Sequence, residues 1–330
     1  MERELNLVQA LNEALDVLLA SDDQVLLLGE DIGTNGGVFR VTENLYNKFG
    51  DRRVVDTPLS EAGIVGCGIG MALNGLKPIV EIEFFGFIYP ALEQILSHLS
   101  RLRMRTQGKY GVPLIIRAPY GAGVRAPELH SESIEALLFQ SPGLKVVVPS
   151  NPYDAKGLLI AASEGSDPVI FLEPMKIYRS VRNLVPQQRY TVPLGKANIV
   201  REGQDITVIS WGAMIWNVMQ AAEQLEKSHG VHVEILDLRT LYPFDIEAIQ
   251  ASVRKTQRAV IVHEAALTGG VGAELVAVIQ DRMFSELKSP VKRITGFDVP
   301  IPQFSIEDYY LPSTDRIVHE IDQMLVSLKR

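Results

Sequence analysis

The sequence has one cysteine, Cys67, which excludes an intramolecular disulfide framework and fits a reducing compartment. Its longest apolar runs, such as Val25 to Leu28 and Val146 to Val148, fall far short of the roughly 20 residues that a spanning helix needs, so no membrane is expected. Basic residues form no runs: 32 Lys and Arg against 40 Asp and Glu give a net charge of −8, so nucleic acid is not an expected partner. The chain lacks a Walker loop G-x-x-x-x-G-K-S/T, a nucleophile elbow G-x-S-x-G, the zinc motif H-E-x-x-H and any cysteine cluster. Neither a phosphate cradle, a serine hydrolase triad nor a catalytic metal site is therefore expected from its own residues. The opening Met1-Glu-Arg-Glu-Leu carries no cationic start followed by an apolar run, and the expectation is a cytoplasmic protein.

What is present is globular in composition: 330 residues, 46% hydrophobic and 22% charged, enough for two domains. Leu7, Leu11, Ala14, Leu15 and Leu18 space out one face of an N-terminal helix. Short β-branched runs then alternate with helical periods, which predicts an α/β domain with a mostly parallel sheet. The expected strands are 25–29, 79–84, 114–118, 145–148 and 169–173, and the expected helices 61–73, 91–107, 134–139 and 154–163. The runs at 145–148 and 169–173 are apolar on both faces and belong in the middle of a covered sheet. Residues 182–195 are polar and proline-bearing without a period, and read as a linker. A second alternation follows, with strands at 206–210, 232–237, 259–263 and 291–295 and helices at 213–228, 246–254 and 272–287. The division is placed at 1–186 and 187–330.

Three segments could carry chemistry. In Asp56-Thr-Pro-Leu-Ser-Glu61, Thr57-Pro58 prevents an earlier helix start, Ser60 caps the helix, and Glu61 lies in its first turn, where the dipole favours a carboxylate. Gly63, Gly66, Cys67 and Gly70 leave one face of that helix almost bare; an ordinary helix contact would explain the segment too. In Glu81-Ile-Glu-Phe-Phe-Gly-Phe87 a strand ends among aromatics. Phe84 and Phe85 read as core, whereas Phe87, past the glycine, could stack on a flat heterocycle at a strand end. In the third, running from Arg117 to Ser131, two glycines and two prolines constrain a loop that presents His130, a group titrating near neutrality. A surface histidine is the plainer alternative. Gly269-Gly-Val-Gly272 could bind an anion at a helix start or simply make a tight turn.

The chain resembles the beta subunits of the thiamine-diphosphate-dependent first component of 2-oxo acid dehydrogenase complexes. Seven ordered blocks carry the resemblance: Leu28-Gly-Glu-Asp-Ile, Gly36-Gly-Val-Phe, Asp56-Thr-Pro-Leu-Ser-Glu, Pro142-Gly-Leu-Lys-Val-Val, Asn151-Pro-Tyr-Asp-Ala-Lys-Gly-Leu-Leu, Asp167-Pro-Val-Ile-Phe-Leu-Glu and Asp237-Leu-Arg-Thr-Leu-Tyr-Pro. The resemblance implies a pyrimidine-binding parallel-sheet domain followed by a transketolase C-terminal-type α/β domain. It implies that Glu61 hydrogen-bonds the pyrimidine ring nitrogen of thiamine diphosphate, that Phe87 stacks on that ring and that Leu59 lies beside it. His130, with Glu128 as its neighbour, would assist transfer of the acyl group to a lipoyl group, and Glu30 would serve a proton relay between paired active sites. Magnesium and the diphosphate would be held by an alpha subunit in an α2β2 heterotetramer, across the glycine face of the Glu61 helix. A structural potassium ion would sit on carbonyl oxygens of Leu114, Ala162, Ser163, Gly165 and Asp167. The further partner implied is the dihydrolipoamide acyltransferase, through its peripheral-subunit-binding and lipoyl domains. Phe84-Phe-Gly-Phe and Pro127-Glu-Leu-His incline the substrate towards pyruvate; branched-chain 2-oxo acid and acetoin relatives, and a non-catalytic assembly subunit, are the alternatives.

Overall fold

The computed structural model describes residues 2–327. In chain order the first half runs β1 (Glu2–Asn6), α1 (Leu7–Ser21), β2 (Val25–Gly29), α2 (Leu45–Phe49), β3 (Val54–Asp56), α3 (Glu61–Leu73) and β4 (Lys77–Glu81). Short helical turns lead to α4 (Leu102–Arg105), then β5 (Ile115–Tyr120), α5 (Glu135–Phe139), β6 (Lys145–Val147), α6 (Pro152–Glu164), β7 (Val169–Pro174) and β8 (Arg182–Pro186). The second half runs β9 (Asn198–Arg201), β10 (Ile206–Ser210), α7 (Met214–His229), β11 (Val233–Asp237), β12 (Thr240–Tyr242), α8 (Ile246–Thr256), β13 (Ala259–Ala266), α9 (Val271–Met283), β14 (Lys292–Gly296), α10 (Glu307–Tyr310) and α11 (Thr314–Ser327).

Six parallel strands form the first sheet in the order β6-β7-β5-β4-β2-β3, and β12 adds antiparallel to the outer edge of β6. The second sheet is β14-β13-β10-β11-β9, parallel except for β9. Strand periodicity sets the two cores. Val25 and Leu27 enter one cluster with Leu7, Leu11 and Leu15 of α1, whereas Leu26 and Leu28 enter the other with Ile64, Val65 and Ile69 of α3. Both clusters continue into the second half, taking Val208 on one side and Ile209 on the other. Every residue of β7 is buried, as expected of a strand covered on both faces.

Helix α1 starts where a reciprocal cap permits: Asn6 Oδ1 accepts from the Gln9 N–H at 2.9 Å, and Gln9 Oε1 accepts from the Asn6 N–H at 3.0 Å. Lys156, fully buried in α6, ties this helix to the first half's last strand, binding Glu13 of α1 at 3.0 Å and the Pro186 carbonyl at 2.6 Å.

Three expectations need correction. The expected linker begins with a strand, since β8 pairs antiparallel with β1, and only residues 187–195 lack helix and strand. The helix expected over 91–107 is broken into 3-10 turns at Phe85–Ala91 and Leu99–Arg101, a π turn at Glu93–His98, and α4. Pro90 removes a helical donor there, and the Ser100 carbonyl is pressed by Gly143, where a Cβ would lie 2.0 Å away. The strand expected over 79–84 ends at Glu81. A further strand, β12, crosses from the second half into the first sheet.

Candidate active site

The strands β5, β4, β2 and β3 are consecutive in the sheet and parallel, so their C-terminal ends open side by side, the edge at which open α/β sheets place ligands. Glu30 follows β2 directly, Leu59 to Glu61 follow β3, Glu83 to Phe87 follow β4, and the loop 121–131 follows β5. Four chain segments distant in sequence therefore deliver Glu30, Leu59, Glu61, Phe87 and His130 to one side of the sheet.

Ser60 is extended, with φ −168°, and its Oγ accepts from the Gly63 N–H at 3.3 Å, so it caps α3 as its sequence context predicts. Glu61 is then the first helical residue, only 9% exposed, and its carboxylate makes no hydrogen bond or ion pair with the described residues. Leu59, two residues earlier, is 79% exposed. Phe84 and Phe85 are buried and Phe87 is half-buried, its ring 5.5 Å from that of Phe84.

His130 packs against both of these aromatics, with ring centroids 4.4 Å from Phe84 and 5.0 Å from Phe87. Its Nδ1 lies 2.8 Å from the Glu128 carbonyl oxygen. A carbonyl only accepts, so Nδ1 donates this bond and Nε2 is the ring nitrogen left free of it. Glu128 thus acts through its backbone, while its side chain is exposed. Gly86 admits the loop: a Cβ there would lie 2.0 Å from the Leu129 carbonyl oxygen.

Carboxylates crowd the same opening. Burial, then the charges of Glu61 and Glu83, raise the Glu30 carboxyl above its ordinary range, and the Ser60 N–H pulls the other way. Glu30 Oε1 is buried without a partner. Glu83 is likewise raised, by burial and then by Asp31, while His130 opposes the shift. The arrangement can hold a proton among acids beside an imidazole, which is acid–base equipment.

Beneath this opening lies a network that sequence reasoning missed. The buried Arg117 guanidinium binds Glu173 at 2.6 and 3.0 Å and Glu81 at 2.6 Å, and the Tyr178 hydroxyl donates to Glu173 at 2.7 Å. Burial works against the charged guanidinium, but Glu173 and Glu81 outweigh it and raise Arg117 further, while burial pushes Glu81 up. A signal was available: Glu81 and Arg117 are charged residues beside the apolar runs Ile79–Val80 and Ile115–Ile116 and stand opposite each other in register.

The carbonyl cluster proposed for potassium is main-chain only. The Asp167 carboxylate is committed to Arg103 at 2.7 Å and Lys145 at 3.4 Å. Helix α6 stops at Glu164 with Gly165 extended, so the last-turn carbonyls of Ala162 and Ser163 lie at a helix end that an oxygen-seeking cation or water can serve. The Leu114 carbonyl accepts from the Val169 N–H at 3.0 Å. Gly269 to Gly272 open α9 as a turn pressed onto buried His263, since Cβ atoms at Gly270 and Gly272 would lie 2.8 and 2.6 Å from its ring.

Comparison with known proteins gives a consistent picture. Residues 3–181 match the transketolase pyrimidine-binding domain, and residues 195–317 match the transketolase C-terminal domain. A chain of a structure titled "Split gene transketolase, inactive beta4 tetramer" superposes with a TM-score of 0.80 over 99% of both chains at 22% identity, a likeness of fold. The pyruvate dehydrogenase E1 component subunit beta of Staphylococcus aureus is 48% identical over 322 residues, 98% of this chain and 99% of the relative. That of Staphylococcus epidermidis is 48% identical over 317 residues, 96% and 97% of the two chains. With its two transketolase-type domains and its end-to-end match to these relatives, the chain belongs to the family of pyruvate dehydrogenase E1 component beta subunits.

Proposed function

We propose that this chain is the beta half of a thiamine-diphosphate-dependent pyruvate dehydrogenase, active with an alpha subunit in an α2β2 heterotetramer and serving the lipoyl group of a dihydrolipoamide acyltransferase in the cytoplasm. The observation that carries the reading is Glu61, a nearly buried carboxylate at a helix start, without a partner among the described residues and flanked by exposed Leu59. Bound there, thiamine diphosphate supplies the electron sink for decarboxylating a 2-oxo acid. Glu61 would hold the pyrimidine ring nitrogen by a hydrogen bond, and Phe87 and Leu59 would flank the ring. The acid cluster of Glu30 and Glu83 keeps a proton at the mouth, Glu30 relaying it. His130, through its Nε2, handles the proton that acyl transfer to the dithiolane requires.

Magnesium and the diphosphate fall to the alpha subunit. The glycine face of α3 fits a chain boundary: Gly63 and Cys67 are exposed, Cβ space at Gly70 is open, and Leu73 is 39% exposed. Close helix approach of that kind needs small residues. The carbonyls of Leu114, Ala162, Ser163, Gly165 and Asp167 would hold potassium, which would pin the end of α6. Residues 1–186 and 187–330 make up the two domains, with β12 of the second adding to the sheet of the first.

The test is decarboxylation of pyruvate and of 2-oxoisovalerate with thiamine diphosphate and magnesium, by this chain alone and with its alpha subunit. Turnover is expected only with the partner and with pyruvate preferred. Glu61→Gln should lower it by at least about 100-fold without preventing assembly, and His130→Ala should reduce lipoyl acetylation more than decarboxylation. Normal decarboxylation by Glu61→Gln would remove the mechanism, and a preference for 2-oxoisovalerate would point to the branched-chain reading.

A further inference from the structure

Glu307, at the start of α10 in the C-terminal half, is fully buried. Its Oε1 accepts from the Gly123 N–H at 2.6 Å and the Arg125 N–H at 3.2 Å, and its Oε2 accepts from the Ser131 hydroxyl at 3.1 Å. A buried carboxylate is strongly unfavourable unless hydrogen bonds compensate it. Among the described residues, all of those donors come from the loop 121–131, the loop that presents His130.

The grip closes the loop at both feet: Gly123 and Arg125 on the way out, and Ser131, adjacent to His130, on the way back. Between them the backbone is left-handed at Arg125 (φ 54°) and Leu129 (φ 65°), conformations that residues other than glycine hold only when the surroundings impose them. A second carboxylate reinforces the first. Glu264 Oε2 accepts from the Ala122 N–H at 2.9 Å, and Gly121 (φ 82°) makes room for it, since a Cβ there would lie 2.5 Å from Glu264 Oε1. The outer pair of Arg125 and Asp308, at 2.5 Å, is exposed on both sides and adds little.

We propose that Glu307 is a positioning residue for acyl transfer: from the C-terminal domain it holds the loop 121–131 in the shape that presents His130 to its acyl acceptor. This rests on the role of His130 given above. Glutamine at 307 can still accept from the two N–H groups through its oxygen and donate to the Ser131 oxygen, whereas alanine loses all three bonds.

The experiment compares Glu307→Ala, Glu307→Gln, Ser131→Ala and His130→Ala in the reconstituted complex. It measures hydrogen exchange of the loop amides, decarboxylation with an artificial electron acceptor, and acetylation of a lipoyl domain. Glu307→Ala should speed exchange over residues 122–131 by about 10-fold or more while leaving β7 unchanged. It should lower kcat for lipoyl acetylation by about 10- to 100-fold, with KM for pyruvate moving less than about 3-fold. Glu307→Gln should recover most of both, and Ser131→Ala should fall between. Unchanged loop exchange, or equal losses in the Ala and Gln variants, would overturn the proposal. If Glu307→Ala does not assemble, Ser131→Ala decides, and wild-type loop exchange and acetylation in that variant would count against it. Full acetylation by His130→Ala would overturn the role of His130, while the exchange data would still judge the grip of Glu307.

Discussion

The Leu129 carbonyl occupies the space in which a side chain at residue 86 would begin, and that contact joins the aromatic turn after β4 to the histidine loop after β5. Gly86→Ala cannot be accommodated by a flexible neighbour, because the obstructing atom is backbone. The expected outcome is a loss of about 1–3 kcal/mol in stability by denaturant titration, with lipoyl acetylation reduced more than decarboxylation because His130 moves with Leu129. Equal activities in the variant and the parent would mean that the loop tolerates displacement. At this scale the sequence was informative where chemistry is local: Ser60 and Glu61 are set by the capping context, and Phe87 stands apart from Phe84 and Phe85 because of the glycine between them. It was silent where chemistry is distant. Arg117 meets Glu81 and Glu173 across 36 and 56 residues, and Glu264 and Glu307 reach their loop donors across 142 and 184. No local pattern records such pairings.

Among elements, those with an apolar face and a marked end were legible: α3 runs over Glu61–Leu73 and β10 over Ile206–Ser210 as expected from the sequence. The elements that escaped are short or borrowed. The first three residues of β1 are exposed, β8 buries only Val185, and β12 has three residues and pairs outside its own half. The amphipathic α11 also lies outside the expected elements.

Strand β13 shows what one long element can do, since its eight residues carry Glu264 to the Ala122 amide. Burial pushes the Glu264 carboxyl up to about 8, with Glu135 and Glu307 adding to the shift. A folded-state value above the unfolded one means that the contribution to stability is present below the unfolded value of 4.5 and is lost as pH rises through the folded one. The thermal midpoint should therefore fall more steeply for the parent than for Glu264→Gln as pH is raised from about 5 to about 9. Parallel profiles would show that this carboxyl does not carry the dependence.

Across the whole molecule, the C-terminal half does more than stack behind the N-terminal half. It shares both cores, anchors the loop of His130 and supplies the seventh strand of the first sheet. The β12 pairing is continued by the Val148 N–H donating to the Arg239 carbonyl at 2.8 Å, and Arg239 also binds Asp154 at 3.0 Å. A fragment of residues 1–195 should expose the edge of β6 and self-associate, visible as oligomers in size-exclusion chromatography. A monodisperse, folded monomer would argue that the edge is closed by other means. The same strand limits how such chains can be recombined. A chimaera joined within 187–195 takes its seventh strand from a foreign donor, whereas one joined after Tyr242 leaves β9, β10 and β11 with the wrong half. Neither seam keeps both sheets native, so shuffling between relatives should succeed only where the donor's segment matches the receiving edge.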